Sequence, residues 1–210
     1  MSTTSWSPAR QRAKRHRKEA ERTRANLHTL LAADARVRRR GPDHIVTDLS
    51  ADVGFERHDL IIVRIAIERR SITLVIAPRR IWHRQEQRER LLLLKQFSRN
   101  VGRRVVLVPE TVLRREPRRS NSLTVTAAAR VAMSLSQRLR LSVAVLSCGG
   151  SVTLRDCLEL LPEHEDPAGA VLAMVHARLL YLPLDQPITP ESLVSTPGDG
   201  PLELTLEYPR

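Results

Sequence analysis

At 210 residues the chain is long enough for one or two domains with a real core, which Leu, Val, Ile and Ala must build because only 3 % of residues are aromatic. The formal net charge is +12, from 35 Lys and Arg against 23 Asp and Glu, and the excess is overwhelmingly Arg; guanidinium pairs with phosphate as a rigid fork, so a phosphate-rich partner is favoured. Cys148 and Cys157 give neither a disulfide framework nor a CxxC spacing, no apolar run approaches the ~20 residues of a membrane span, and the N-terminus lacks a signal-peptide core; the expected location is the bacterial cytoplasm, with no membrane partner.

The front of the chain is basic. Twelve Lys and Arg between Arg10 and Arg40 face only Glu19, Glu21 and Asp34. The stretch SPARQRAKRHRKEAERTRANLHTLLAAD reads as a helix with Ser7 and Pro8 at its start, and only Leu27, Leu30 and Leu31 can dock on a core. Arg10, Arg12, Lys14 and Arg15 then belong to a solvated helix or to an arm that orders on a polyanion.

From Leu60 to Ala77, two β-branched runs flank Glu68-Arg69-Arg70-Ser71 and read as a β-hairpin. The first run is apolar mainly on one face, whereas SITLVIA is apolar on both and therefore central. RIWHRQEQRERLLLLKQFSRN reads as one helix of about five turns, with Ile81, Leu92 and Phe97 as its apolar stripe. RRVVLVP is a third strand. Hairpin, crossover helix and strand make an α/β core with a parallel pairing.

Pro117 to Asn121 breaks the pattern, and Leu123 to Leu146 reads as a helix ending at Cys148-Gly149-Gly150. Two shorter helices follow, capped by Thr153 and by Asp166 with Pro167 behind it. LLYLPLDQPITPESLV reads as two short strands around a turn. Three helices and a hairpin are the order of a winged helix-turn-helix. The expected segments are a basic arm (1–41), an α/β domain (42–120), a winged-helix-like domain (121–195) and a tail (196–210).

No GxSxG, HExxH or Walker-type loop is present, and the seven histidines, His83 and His176 among them, show no ligand spacing. Glu56, Asp59 and Glu68 are the best carboxylate group for a metal-dependent phosphodiesterase. Asp59-Leu60-Ile61, the hairpin, LVIAPRR, a basic helix and RRVVLVPETVLRREPRRSN with its Asn121 together resemble the TnsA-type transposon endonucleases, of the PD-(D/E)xK restriction-endonuclease-like superfamily. The resemblance covers about residues 42–195. It implies a restriction-endonuclease-like core followed by a winged helix, a metal-binding Asp at Asp59, and an acid or Gln and a Lys sixteen and eighteen residues further on. Those positions hold Val75 and Ala77. The upstream helix offers only Glu19 and Glu21, in a setting ill suited to the family's first Glu.

With an acid and a Lys replaced by aliphatics, the expectation is a catalytically dead relative that binds DNA without a cofactor. Its phosphate contacts would come from Arg79, Arg80, Arg84 and Arg88, the last three repeating on one helix face, and from Arg114, Arg115, Arg118 and Arg119. Trp82 packs inward. The last helix of the winged-helix order offers only His176 and Arg178 to a groove, behind Glu163, Glu165 and Asp166, so that module is expected to dock a protein such as a transposase or recombinase, or to self-associate. The alternatives are an active Mg²⁺-dependent nuclease using Glu56, Asp59 and Glu68, and an RNA-binding adaptor held by the first 24 residues.

Overall fold

The computed structural model describes residues 8–67 and 70–198. The fold is mixed α/β. The described elements are α1 (Pro8–Ala33), β1 (Val37–Gly41), α2 (His44–Asp52), β2 (Ile61–Ile67), β3 (Arg70–Ala77), α3 (Arg79–Trp82), α4 (Gln85–Asn100), β4 (Val105–Pro109), α5 (Arg118–Ala127), α6 (Leu135–Ser147), β5 (Ser151–Thr153), α7 (Leu154–Glu159), α8 (Pro167–His176) and β6 (Leu193–Ser195), with short 3-10 turns at Glu110–Arg114 and Ala128–Arg130. The chain divides into two compact units: an N-terminal one of residues up to Leu27 with Arg39–Leu113, and a C-terminal one of His28–Arg38 with the residues from Arg114 onward. Among the described residues no helix is long and apolar enough to cross a membrane.

The N-terminal unit holds a four-stranded sheet in the order β1-β2-β3-β4. β2 and β3 pair antiparallel with Ile61 opposite Ile76, and β3 pairs parallel with β4, so SITLVIA is central as its two-sided apolar pattern requires. One face of β3 carries Val75 and Ala77 into a core with Val46 of α2, Phe55, Leu60, Ile81, and Leu91 and Leu94 of α4. Asp43 ties α2 to this face. Its Oδ1 accepts the Val46 N–H at 3.3 Å as an N-cap, and its Oδ2 accepts the Thr73 hydroxyl at 2.6 Å. The long helix expected after β3 is interrupted: α3 ends at Trp82, and Arg84 in extended conformation is the N-cap of α4. The buried stripe of α4 is Leu91 and Leu94, whereas Leu92 and Phe97 are exposed, because the break resets the helical phase.

In the C-terminal unit, α5, α6, α7 and α8 surround a core of Val125, Leu141, Val145, Leu161, Val171, Met174 and Leu182 among others. The single helix expected over Leu123–Leu146 is two. Ser134 starts α6 with a capping box, its hydroxyl accepting the Gln137 N–H while the Gln137 side chain accepts the Ser134 N–H. Thr153 and Asp156 repeat the device on α7, and Asp166 caps α8 at the Gly169 N–H with Pro167 behind it. Of the two strands expected in Leu179–Val194, one is an isolated bridge from Tyr181 to Ser195, and the other is β6, paired antiparallel with β5. Leu182 and Leu184 instead turn into the core.

Candidate functional site

Asp59 stands two residues before β2. Its Oδ2 accepts the Glu56 backbone N–H at 3.0 Å, a turn that holds the carboxylate in place, and its Oδ1 accepts Arg80 Nη2 at 2.8 Å. Arg80 comes from the first turn of α3, just past β3, and the β2–β3 register brings the two together. Glu19 corrects the sequence reading. It lies on α1 and lines the same small cavity as Asp59 and Arg80, with His16, Thr23, His58, Ile61, Ile76 and Pro78. Thr23 locks that part of α1, its hydroxyl donating to the buried Glu110 at 2.8 Å.

The two positions at which the resemblance expects an acid and a Lys lie away from this cavity. Side chains alternate along a strand, so Val75 and Ala77, completely buried, face α2 and α4. The cavity beside Asp59 is walled by Ile76 and Pro78. None of these four side chains offers an oxygen or an amine. The Mg²⁺ that a PD-(D/E)xK relative implies does not fit these residues. Both Asp59 oxygens are engaged, and the cavity of about 10 Å³ has room for about one water. Among the described residues no group of three or more His, Cys, Asp or Glu is placed to hold a metal. Glu56 is exposed in the Asp59 turn, and Glu68 lies outside the described residues.

The predicted phosphate contacts divide three ways. Arg80 is committed to Asp59, while Arg79 is exposed and its Nε donates to His83 Nε2 at 2.9 Å. Arg84 and Arg88 are exposed at the start of α4, and the acids nearest in sequence are engaged elsewhere: Glu86 accepts from Arg90, and Glu89 accepts from Gln85. The helix break means that Arg80, Arg84 and Arg88 do not form one helical face. On α1, Lys14 and Arg15 are exposed, and the side chains of Arg10 and Arg12 lie outside the described residues.

Arg118 is the main correction. Its side chain is 14 % exposed and held by Asp185 at 3.1 Å and Asp34 at 3.8 Å. Asp34 is itself paired with Arg36 through two hydrogen bonds of 3.0 Å, Nε to Oδ1 and Nη2 to Oδ2, both side chains are nearly buried, and the Arg36 guanidinium lies 4.9 Å from the centre of the Tyr181 ring. Arg118 is therefore part of a structural charge network. Arg114, Arg115 and Arg119 are exposed, and Arg119 lies 3.7 Å from Glu116. The side chain and backbone of Ser120 hydrogen-bond to the Glu116 carboxylate and, with Arg119 close by, hold it below the usual carboxylate range, so this cluster carries its own ionised acid.

Sequence reasoning missed two features. Arg64, in the middle of apolar β2, is exposed and lines a groove with Arg40; its signal was a lone charge inside IIVRIAI. On α6, Leu135, Leu139, Val143 and Leu146 are 55–72 % exposed, and their spacing puts them on one side of the helix. Helix α8 buries Ala170, Val171, Leu172, Met174 and Val175 and carries no Arg, Lys, Asn or Gln. Comparison with known proteins adds no relative: no family model matches the chain, and neither curated proteins nor solved structures show a significant match.

Proposed function

We propose that the chain is a non-catalytic DNA-binding protein, a degenerate relative of the TnsA-type endonucleases that serves as an accessory subunit in a DNA transaction such as transposition or recombination. The observation that carries this reading is the pair Arg84 and Arg88. Both are exposed in a strongly basic chain, Glu86 is paired with Arg90, and Glu89 is hydrogen-bonded to Gln85 rather than to either arginine. The degenerate-nuclease part rests on a hairpin led by Asp59, with Glu19 across the cavity, Arg80 bonded to Asp59, and aliphatic side chains on either face of the neighbouring strand.

The order α6, β5, α7, α8, Tyr181 bridge, β6, with β6 joining the other two, supports a winged helix in the C-terminal unit. Its buried α8 favours protein docking over base reading. The docking face is the α6 stripe, and α6 contains Arg138 and Arg140 but no acid, which favours an acidic amphipathic helix of a partner protein.

Fluorescence anisotropy with a 20-base-pair duplex tests the DNA reading. Affinity falls steeply with salt, the Arg84→Ala/Arg88→Ala variant flattens the salt slope by about two, and no cleavage follows addition of Mg²⁺ or Mn²⁺. Salt-independent affinity overturns it, and so does a preference for RNA that is lost on deletion of residues 1–24. One observation favours an active nuclease: Glu19 and Asp59 wall the same cavity. Metal-dependent nicking abolished by Asp59→Ala establishes that alternative.

A further inference from the structure

We infer that the groove between the end of β1 and the β2–β3 hairpin binds a backbone phosphate of DNA. This rests on the DNA-binding reading above and adds a contact point that the sequence did not single out. The groove has a volume of about 400 Å³ and is lined by Arg40, Gly41, Pro42, Arg64, Ile65, Ala66 and Ser71. That is the size of a ligand site, unlike the one-water cavity beside Asp59. Its charged lining is arginine alone.

Arg64 supplies the recognition chemistry. It interrupts a strand of Ile, Val and Ala and is exposed. Its Nε donates to Ser71 Oγ at 2.6 Å across the hairpin, which fixes the guanidinium plane and leaves the Nη1–Nη2 edge as the fork for two phosphate oxygens. The acid next in sequence to the groove, Asp43, does not compete. It is buried, and its two oxygens are occupied by the Val46 N–H and the Thr73 hydroxyl.

Position makes the site useful to a duplex. Arg64 lies opposite Thr73, whereas Arg79 follows the far end of β3. From Thr73 to the end of β3 at Ala77 the strand runs roughly 13 Å at about 3.3 Å per residue, the rise of roughly four base pairs, and Arg79 lies just beyond that end. The N-terminal unit thus presents two phosphate contacts at a separation that one duplex can bridge.

The test is anisotropy of the full chain with the same 20-base-pair duplex over a salt series. Arg64→Ala is expected to weaken binding roughly threefold to tenfold and to lower the salt slope by about one. Arg64→Lys keeps the slope but loses affinity, because a point charge replaces the fork. Ser71→Ala weakens binding less than Arg64→Ala, at the same slope as the parent. Circular dichroism melting identical to the parent shows that the exposed Arg64 was not holding the fold. If the parent binds and Arg84→Ala/Arg88→Ala weakens it while Arg64→Ala changes neither affinity nor slope, the groove assignment fails and the DNA reading stands. If the parent shows no salt-dependent duplex binding, the DNA reading fails and the groove assignment falls with it.

Discussion

Removal of the Asp34 carboxylate tests the charge network that holds Arg118. In Asp34→Ala the Arg36 guanidinium, 5 % exposed, loses the two 3.0 Å hydrogen bonds to Asp34, and Arg118 keeps Asp185. Breaking a buried pair from one side costs about 3–5 kcal/mol. The Arg36 backbone N–H, which Asp34 Oδ1 accepts at 3.1 Å, loses that bond as well, worth about 1.5 kcal/mol or more to a charged acceptor. Taking about 5 kcal/mol overall, and an unfolding entropy of about 2 cal/mol/K per residue over about a hundred residues, the melting temperature falls by roughly 25 °C. The assay is urea and thermal unfolding followed by far-ultraviolet circular dichroism. Asp34→Ala/Arg36→Met should recover at least about 2 kcal/mol of the loss, since an apolar side chain in the same space removes a buried charge that has lost its Asp34 carboxylate. A single variant that loses less than about 1 kcal/mol, or a double variant as unstable as the sum of its parts, refutes the argument.

Three other outcomes follow from the same structure. Burial, with Asp156 alongside, pushes the Cys157 thiol up to about 11, and the side chain is wholly inaccessible while Cys148 is exposed; at pH 8 a thiol reagent should label one cysteine in the native protein and two in denaturant. The side-chain and backbone hydrogen bonds from Thr153 hold the Asp156 carboxyl below its ordinary 3.8. A carboxylate depressed on folding contributes stability that is present above its unfolded value and lost as pH falls through its folded one, so Thr153→Val should raise the Asp156 titration seen by NMR and weaken the acid dependence of unfolding. Leu139→Glu/Val143→Glu on α6 should leave stability within about 0.5 kcal/mol of the parent, because both side chains are exposed, and should abolish binding of a synthetic leucine–glutamate amphipathic helix; binding that survives refutes the docking face, and concentration-dependent association of the parent, lost in the variant, assigns that face to a second copy instead.

What could be read in the sequence followed how local the governing physics is. The hairpin, the central place of SITLVIA and the caps at Thr153 and Asp166 depend on neighbours a few residues away, and all are present. Leu27, Leu30 and Leu31 are buried as their clustering required. The helix break at His83–Arg84 left no proline or glycine to mark it, so three arginines at helical spacing read as one face. Arg118 looked like its neighbours Arg115 and Arg119 because nothing local distinguishes a surface arginine from one held by Asp34 and Asp185, 84 and 67 residues away in the chain.

The position at which the resemblance to TnsA-type endonucleases looks for catalytic residues turns on a single step of register. Counting sixteen and eighteen from Asp59 lands on Val75 and Ala77, which face α2 and α4. A strand has period two, so an offset of one residue moves every side chain to the other face, and the residues walling the cavity with Asp59 and Glu19 are Ile76 and Pro78. The proposed loss of chemistry does not depend on which count is right, since neither pair supplies an acid or a lysine. What the register changes is the experiment. The double substitution Val75→Glu/Ala77→Lys would place charges in a dry core against Leu91 and Leu94 and unfold the unit, a result that says nothing about catalysis. Ile76→Glu/Pro78→Lys, made with Arg80→Ala to release the Asp59 carboxylate, would put new oxygens and an amine beside the cavity where Glu19 and Asp59 already stand; Ile76 is also fully buried, so circular dichroism first establishes that this variant folds. Nicking by that variant with Mn²⁺, absent from the parent, would show that the scaffold still holds a nuclease geometry; a folded variant without nicking would show that the resemblance is one of chain organisation alone.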